Sequence, residues 1–275
     1  LRATDDWRVL VNDPAVEAVI IATPQDSHRD IAEAAISLGK PVLCEKPLAD
    51  SLEDARAMVA AAEAAGVPNM TGFNYIRTPA SQFARNLLAD GAIGQVTWFR
   101  GEHAEDFLAD PQIPHNWRCS GMANGNMGDL APHPINAALA LMGPIEKVLA
   151  DVECVHPQRP GGAVTNDDHA QIMCRFKNGV MGHIYSSRLA TGRKMGYAYE
   201  VHGTEGAIRV RSGRSECHLA VPRRRSGSGT RFQENTCRPG TPRLFAFLSG
   251  PRARYRLSGY RHYRGQGFPD SHRNG

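Results

Sequence analysis

Three clusters of residues have the types and spacing for chemistry. The first is Glu45-Lys46, an acid and a base set directly after the apolar run Pro41-Val42-Leu43-Cys44 and followed by Pro47. A lysine in such a place can hydrogen-bond a hydroxyl and, partly desolvated, change its affinity for a proton. The same pair also fits an ion pair that caps a strand. The second cluster is Asp129 and His133, four apart in Gly128-Asp129-Leu130-Ala131-Pro132-His133-Pro134-Ile135-Asn136. On one helical turn they share a face and can reach one ligand atom. A histidine beside a carboxylate is a proton acceptor near neutral pH. The stretch equally fits a structural helix start with Asp129 as cap, and its prolines place that start after Asp129. The third is Trp117-Arg118, where an indole can cover a flat ring and an arginine can bind hydroxyls or an acidic group. His103, His115, His156, His169 and His183 have no ligand spacing, so no metal is expected. No nucleophile elbow is present.

The elements that position these residues follow from periodicity. Val16 to Ala22 reads as a buried strand ending at Thr23-Pro24, and Asp26 or Ser27 caps a helix whose apolar side is Ile31, Ala34, Ala35 and Leu38. His28 reads as a residue of that helix start. Val42 to Cys44 is a second strand, which Pro47 stops, so Glu45 and Lys46 stand at a strand's carboxyl end, where open α/β sheets bind ligands. Ser51-x-x-Asp54 resembles a capping box with the shorter acid, and its helix ends at Gly66. Pro68 to Phe73 is a third strand. Strand and helix alternating at roughly 25-residue spacing predict parallel βαβ units, with apolar strands covered on both faces. After Asn74 the pattern changes: a helix containing Phe83, Leu87 and Leu88, a strand from Val96 to Phe99, an irregular loop over 104–128 and a helix over Pro134 to Met142. From Val148 onward the period is 2, with Asn178-Gly179 as a hairpin turn, which predicts a mainly antiparallel open sheet. The expected divisions are residues 1–75, 76–210 and 211–275.

The net charge of +4 is unevenly spread: residues 209–275 hold 15 arginines, no lysine and 3 acids, so everything before them is net acidic. The basic balance therefore does not argue that the folded part binds nucleic acid. The tail from Arg211 keeps neither period and reads as disordered or as a departure from an ancestral reading frame. Six scattered cysteines without paired spacing read as reduced thiols of a cytoplasmic protein, and no membrane span or signal is expected. The chain begins at Leu1 and contains no G-x-G-x-x-G, so it reads as lacking an amino-terminal half with its phosphate-binding turn.

Ala22-Thr23-Pro24 with His28, Glu45-Lys46-Pro47, Gly72-Phe73-Asn74-Tyr75-x-Arg77, Trp117-Arg118 and Gly128-Asp129-x-x-x-His133-x-x-Asn136 together resemble the Gfo/Idh/MocA family over about residues 5–208. Ala131-Pro132 departs from the small pair common there. The resemblance implies an NAD(P)-binding Rossmann part and an α/β part whose open sheet makes homo-oligomers. It implies hydride transfer between NAD or NADP and a hydroxyl carbon of a sugar, inositol or related polyol. By that resemblance Lys46, Asp129 and His133 are catalytic, and Thr23, Pro24, His28, Glu45, Lys46, Asn74, Trp117 and Arg118 line the cofactor. Lys46, Arg118, Asp129, His133 and Asn136 would hold the substrate. The alternatives are a scaffold without dinucleotide binding and an NAD-using glycosidase.

Overall fold

The computed structural model describes residues 3–211 and the backbone of 216–220 and 236–237. The described residues up to Thr236 belong to one compact unit; of the tail expected over 211–275, all but residues 211, 216–220 and 236–237 lie outside the described residues. The chain opens with α1 (Trp7–Asn12), β1 (Val19–Ile21), α2 (His28–Ser37), β2 (Val42–Cys44), α3 (Leu52–Ala65) and β3 (Asn69–Thr71). The three strands lie parallel in the order β1-β2-β3, with Val19 opposite Val42 and Val42 opposite Asn69. Val19, Ile21, Val42 and Cys44 face a core that Ile31, Ala32, Ala35 and Ile36 of α2 and Met58 and Ala62 of α3 complete. The expectation of strands covered on both faces does not hold among the described residues. Ile20 is 73% exposed. Consecutive right-handed crossovers between neighbours in the order 1-2-3 put both helices on one side, which leaves Ile20 and Met70 on the other.

Glycines end both helical segments as the apolar pattern requires, Gly39 at φ +70° and Gly66 at φ +63°. The start of α3 shows what the shorter acid does. Ser51 Oγ accepts from the Asp54 N–H (3.0 Å) and donates to Asp54 Oδ2 (2.8 Å), while Asp54 Oδ1 takes Arg29 (2.7 Å). The aspartate thus returns to the cap hydroxyl rather than to the cap backbone, and pins α2 to α3. Replacing Ser51 with alanine should cost about 1 kcal/mol in urea unfolding, because one orphan N–H of the first turn then loses its acceptor.

The second part adds α4 (Pro79–Ala89), β4 (Val96–Ala104), α5 (Asn126–Asp129), α6 (Pro132–Met142), β5 (Ile145–Glu153), the short pair β6 (Gln158–Arg159) and β7 (Gly162–Ala163), β8 (His169–Phe176), β9 (Met181–Ser187), β10 (Gly196–Gly203), β11 (Ala207–Arg211) and β12 (Glu216–Ala220). The large sheet runs β12-β11-β10-β4-β9-β8-β5. Its pairs are antiparallel except β4 with β9, which are parallel, so the sheet is mixed and mainly antiparallel. Asn178-Gly179 turns the β8–β9 hairpin, with Gly179 at φ +86° and Asn178 Oδ1 accepting from the Val180 N–H at 3.0 Å. Phe99, Phe176, Ile184, Tyr199, Val201 and Ile208 are buried on one face. There α6 packs on β4 and β10 so closely that a Cβ on Gly101 would lie 3.0 Å from Pro134 Cβ. Two details differ from the sequence reading. Helix α6 begins at Pro132, because proline is tolerated in a first turn. Glu216–Ala220 pairs with β11 from within the stretch that showed no period.

Candidate active site

The site forms where the carboxyl end of β2 meets the loop before α6. The Glu45 N–H continues the sheet by donating to Ile21 O (2.9 Å), and Gly72 leaves room for its carboxylate, since a Cβ there would lie 2.8 Å from Glu45 Oε1. The chain then turns through a cis Lys46–Pro47 bond. Lys46 Nζ donates to Asp129 Oδ1 at 2.6 Å and to Asp129 O at 2.9 Å. Arg118 takes Oδ2 of the same carboxylate, and its guanidinium stacks 4.3 Å from the Trp117 ring and 5.1 Å from the Phe107 ring. Burial alone would raise the Asp129 pKa; the Lys46 ammonium and then the Arg118 guanidinium outweigh it and hold the carboxyl below its usual range.

His133, in the first turn of α6, is 7% exposed. The break between α5 and α6 separates it from Asp129, and no hydrogen bond joins the two. Its ring meets aromatic edges instead: Tyr75 at 4.6 Å, His103 at 5.2 Å, Phe73 at 6.1 Å and Tyr197 at 6.4 Å. Its Nδ1 is buried and has no hydrogen-bond partner. Burial, then the charge of Lys46 and the neighbouring His103, push its pKa down to about 3, against a smaller opposing pull from Asp129. The ring is therefore neutral at ordinary pH.

Sequence reading missed the wall behind this ring. Tyr75 stacks on Tyr197 at 4.4 Å, and the Tyr75 pKa is raised by burial and then by Glu105 and Asp129. His103 bridges Leu130 O (3.2 Å) and Glu105 Oε1 (3.1 Å). Burial lowers its pKa, and the contact with Glu105 works the other way. His103 and Tyr197 are opposite each other on β4 and β10, a pairing that period-2 alternation cannot assign.

Of the other expected residues, Thr23 and Pro24 are exposed at the end of β1, Asn74 is exposed after β3, and Trp117 is 61% exposed beside Arg118. Asn136 lies one turn after His133, its Oδ1 buried without a hydrogen-bond partner. His28 is enclosed by backbone. Its ring is 1% exposed, with Nε2 on Thr23 O (2.9 Å) and Nδ1 near Pro47 O (3.1 Å) and Leu48 O (3.2 Å). Both nitrogens lie on backbone carbonyls, so His28 ties the loop after β1 to the loop after β2. Gln25, in the loop after β1, donates to Asn124 Oδ1 and links that loop to the segment carrying Arg118.

A lysine at the carboxyl edge of a parallel sheet is thus ion-paired to an aspartate in the loop before α6, beside a buried, neutral histidine. The chain belongs to the Gfo/Idh/MocA family: residues 1–73 match the oxidoreductase family with an NAD-binding Rossmann fold, and residues 81–209 match the GFO/IDH/MocA C-terminal domain. It is 39% identical over 226 residues to levoglucosan dehydrogenase of Pseudarthrobacter phenanthrenivorans, covering 75% of this chain and 58% of that protein. It is 33% identical to D-apiose dehydrogenase of Paraburkholderia graminis, covering 74% and 53%. Among solved structures, levoglucosan dehydrogenase in complex with NADH and levoglucosan superposes with a TM-score of 0.79 at 38% identity, over 84% of this chain and 64% of that one. An NAD-binding oxidoreductase from Klebsiella pneumoniae gives 0.78 at 39%, over 84% and 63%. The chain thus spans a little over half the length of these curated relatives.

Proposed function

We propose that the protein is an NAD- or NADP-dependent dehydrogenase that oxidises a hydroxyl carbon of a sugar or polyol. The observation that carries this reading is the Lys46–Asp129–Arg118 clamp beside a neutral, buried His133 at the carboxyl edge of β1 and β2. The donor set fits the nicotinamide end of a dinucleotide. Thr23 and Pro24 after β1, Glu45 and Lys46 after β2, and Asn74 after β3 present polar groups along successive strand ends, with Trp117 exposed to cover a ring. NAD or NADP, when bound there, accepts the hydride. Asp129 and Lys46 orient the substrate hydroxyl, and Lys46 steadies negative charge growing on its oxygen. His133 takes the hydroxyl proton at Nε2, because Nδ1 is sealed off. As the C–H pair leaves as hydride and the O–H proton passes to the imidazole, a C=O remains. The test is reduced-nicotinamide absorbance with anhydrosugars, aldoses and polyols, each offered with NAD and NADP. Saturable turnover on at least one supports the reading; a cofactor titration with no saturable signal would favour the scaffold.

We also propose that the outer face of the large sheet joins copies of the chain. Leu149, Met173 and Met181 are exposed there at 71%, 60% and 51%, and apolar residues grouped on one open face mark interaction sites. Light scattering should give a dimer or larger, and Met173→Asp should shift it toward monomer. A monomeric wild type would refute this.

A further inference from the structure

Arg188 is 1% exposed and lies just beyond β9, outside the site. A buried arginine must spend all its donors, and their targets show what it holds in place. Nε donates to Asp168 Oδ1 at 2.9 Å, Nη2 to Asn166 Oδ1 at 2.8 Å, and Nη1 to Arg118 O at 2.7 Å and Asn124 O at 3.3 Å. Its partners are held in turn. Asp168 Oδ2 accepts from the Val155 and His156 N–H groups at 2.8 and 3.0 Å. Asn166 Nδ2 donates to Arg118 O at 3.0 Å and Gly121 O at 2.9 Å. The carbonyls so bound, those of Arg118, Gly121 and Asn124, all belong to the segment 118–124, and Arg118 O is bound twice. The segment has little regular structure of its own, only short 3₁₀ turns at Trp117–Cys119 and Met122–Asn124. Beyond the Asp168 pair, Arg188 reaches the backbone of the residue whose side chain holds Asp129 once directly, at Arg118 O, and once through Asn166, which donates to the same carbonyl.

We infer that Arg188, with Asn166, is a positioning residue that fixes the Arg118 backbone and so aims its guanidinium at Asp129. The inference deepens the dehydrogenase reading and rests on it for its kinetic consequence. Lys46 and Arg118 are the cations on Asp129, while His133, His103 and Tyr75 are the titratable rings within its field. Loosening Arg118 removes one of the two cations and leaves the rest in place.

Two variants separate positioning from folding. R188K keeps a cation on Asp168, but one ammonium cannot span Asn166 and two carbonyls as a planar fork does. N166A leaves the buried ion pair intact, so it decides the matter if R188K does not fold. Each folded variant should lose on the order of 10- to 100-fold in kcat/KM. Each should also move the Asp129 carboxyl titration, read by carbon-13 NMR, to higher pH together with the acid limb of kcat/KM. In an R118M background, where the guanidinium is already gone, R188K should add no further shift. Folded variants with an unmoved Asp129 titration overturn the inference, as does a full R188K shift in the R118M background. If the wild type turns over no substrate while the Asp129 titration still moves in R188K, the positioning role stands and the dehydrogenase reading falls.

Discussion

Replacing His133 with asparagine should lower kcat by about 10²- to 10⁴-fold, the usual worth of a positioned acid–base group, with nicotinamide affinity little changed. Asparagine keeps a polar group of similar reach but cannot take a proton. The same variant has a signature in stability. Folded His133 binds a proton only near pH 3, whereas in the unfolded chain it does so near 6.5. Between those values the unfolded state holds the extra proton, so the wild type has this contribution in full above 6.5 and loses it as the pH falls toward 3. H133N has nothing to titrate there. Its urea midpoint should therefore drop less than that of the wild type between pH 7 and pH 4.5; equal drops would show that His133 is not held neutral by the fold.

Lys46→Met should lower kcat by about 10²- to 10³-fold, in line with loss of one donor to a developing oxyanion. The substitution keeps most of the stem and removes the ammonium that contacts Asp129 at 2.6 Å. It also leaves Asp129 with Arg118 as its single ion-pair partner, so the carboxyl should titrate at higher pH. Lys46→Arg restores charge but not shape: a guanidinium is wider than the ammonium that fits between Asp129 O and Oδ1. Recovery should be partial at best. A Lys46→Met protein with near-wild-type kcat would remove Lys46 from the chemistry.

The parts of the site readable in sequence are those where one local rule places a residue. Lys46 follows a strand and precedes a proline, so its place at a sheet edge needs only strand and stop signals. Gly39, Gly66 and Gly179 sit at the left-handed turns that their neighbours require. Asp129 and His133 are legible as a pair by spacing, yet the α5–α6 break gives them different partners. His28 reads from its position as a helix start, which it is, and only the fold reveals two loops closing on its ring. His103 and Tyr197 come together through the β4–β10 pairing, and Tyr75 stacks on Tyr197 from the segment after β3, contacts that no local pattern specifies. Arg188 and Asp168 do leave a trace. Arg188 continues the inward parity of Ile184 and Ser186, and Asp168 that of Ala170 and Ile172. Two opposite charges at core positions of neighbouring strands signal a buried pair.

That a hydride leaves a substrate carbon held by Lys46, Asp129 and His133 is tested most directly by isotope transfer. The wild-type protein is given its best substrate from the sugar and polyol panel with deuterium on the oxidised carbon. The reduced nicotinamide is then weighed by mass spectrometry. One deuterium should appear in the reduced cofactor, and the rate at which labelled cofactor forms should fall in Lys46→Met as kcat does. Reduced cofactor without deuterium, or deuterium transfer undiminished in Lys46→Met, would contradict the assignment.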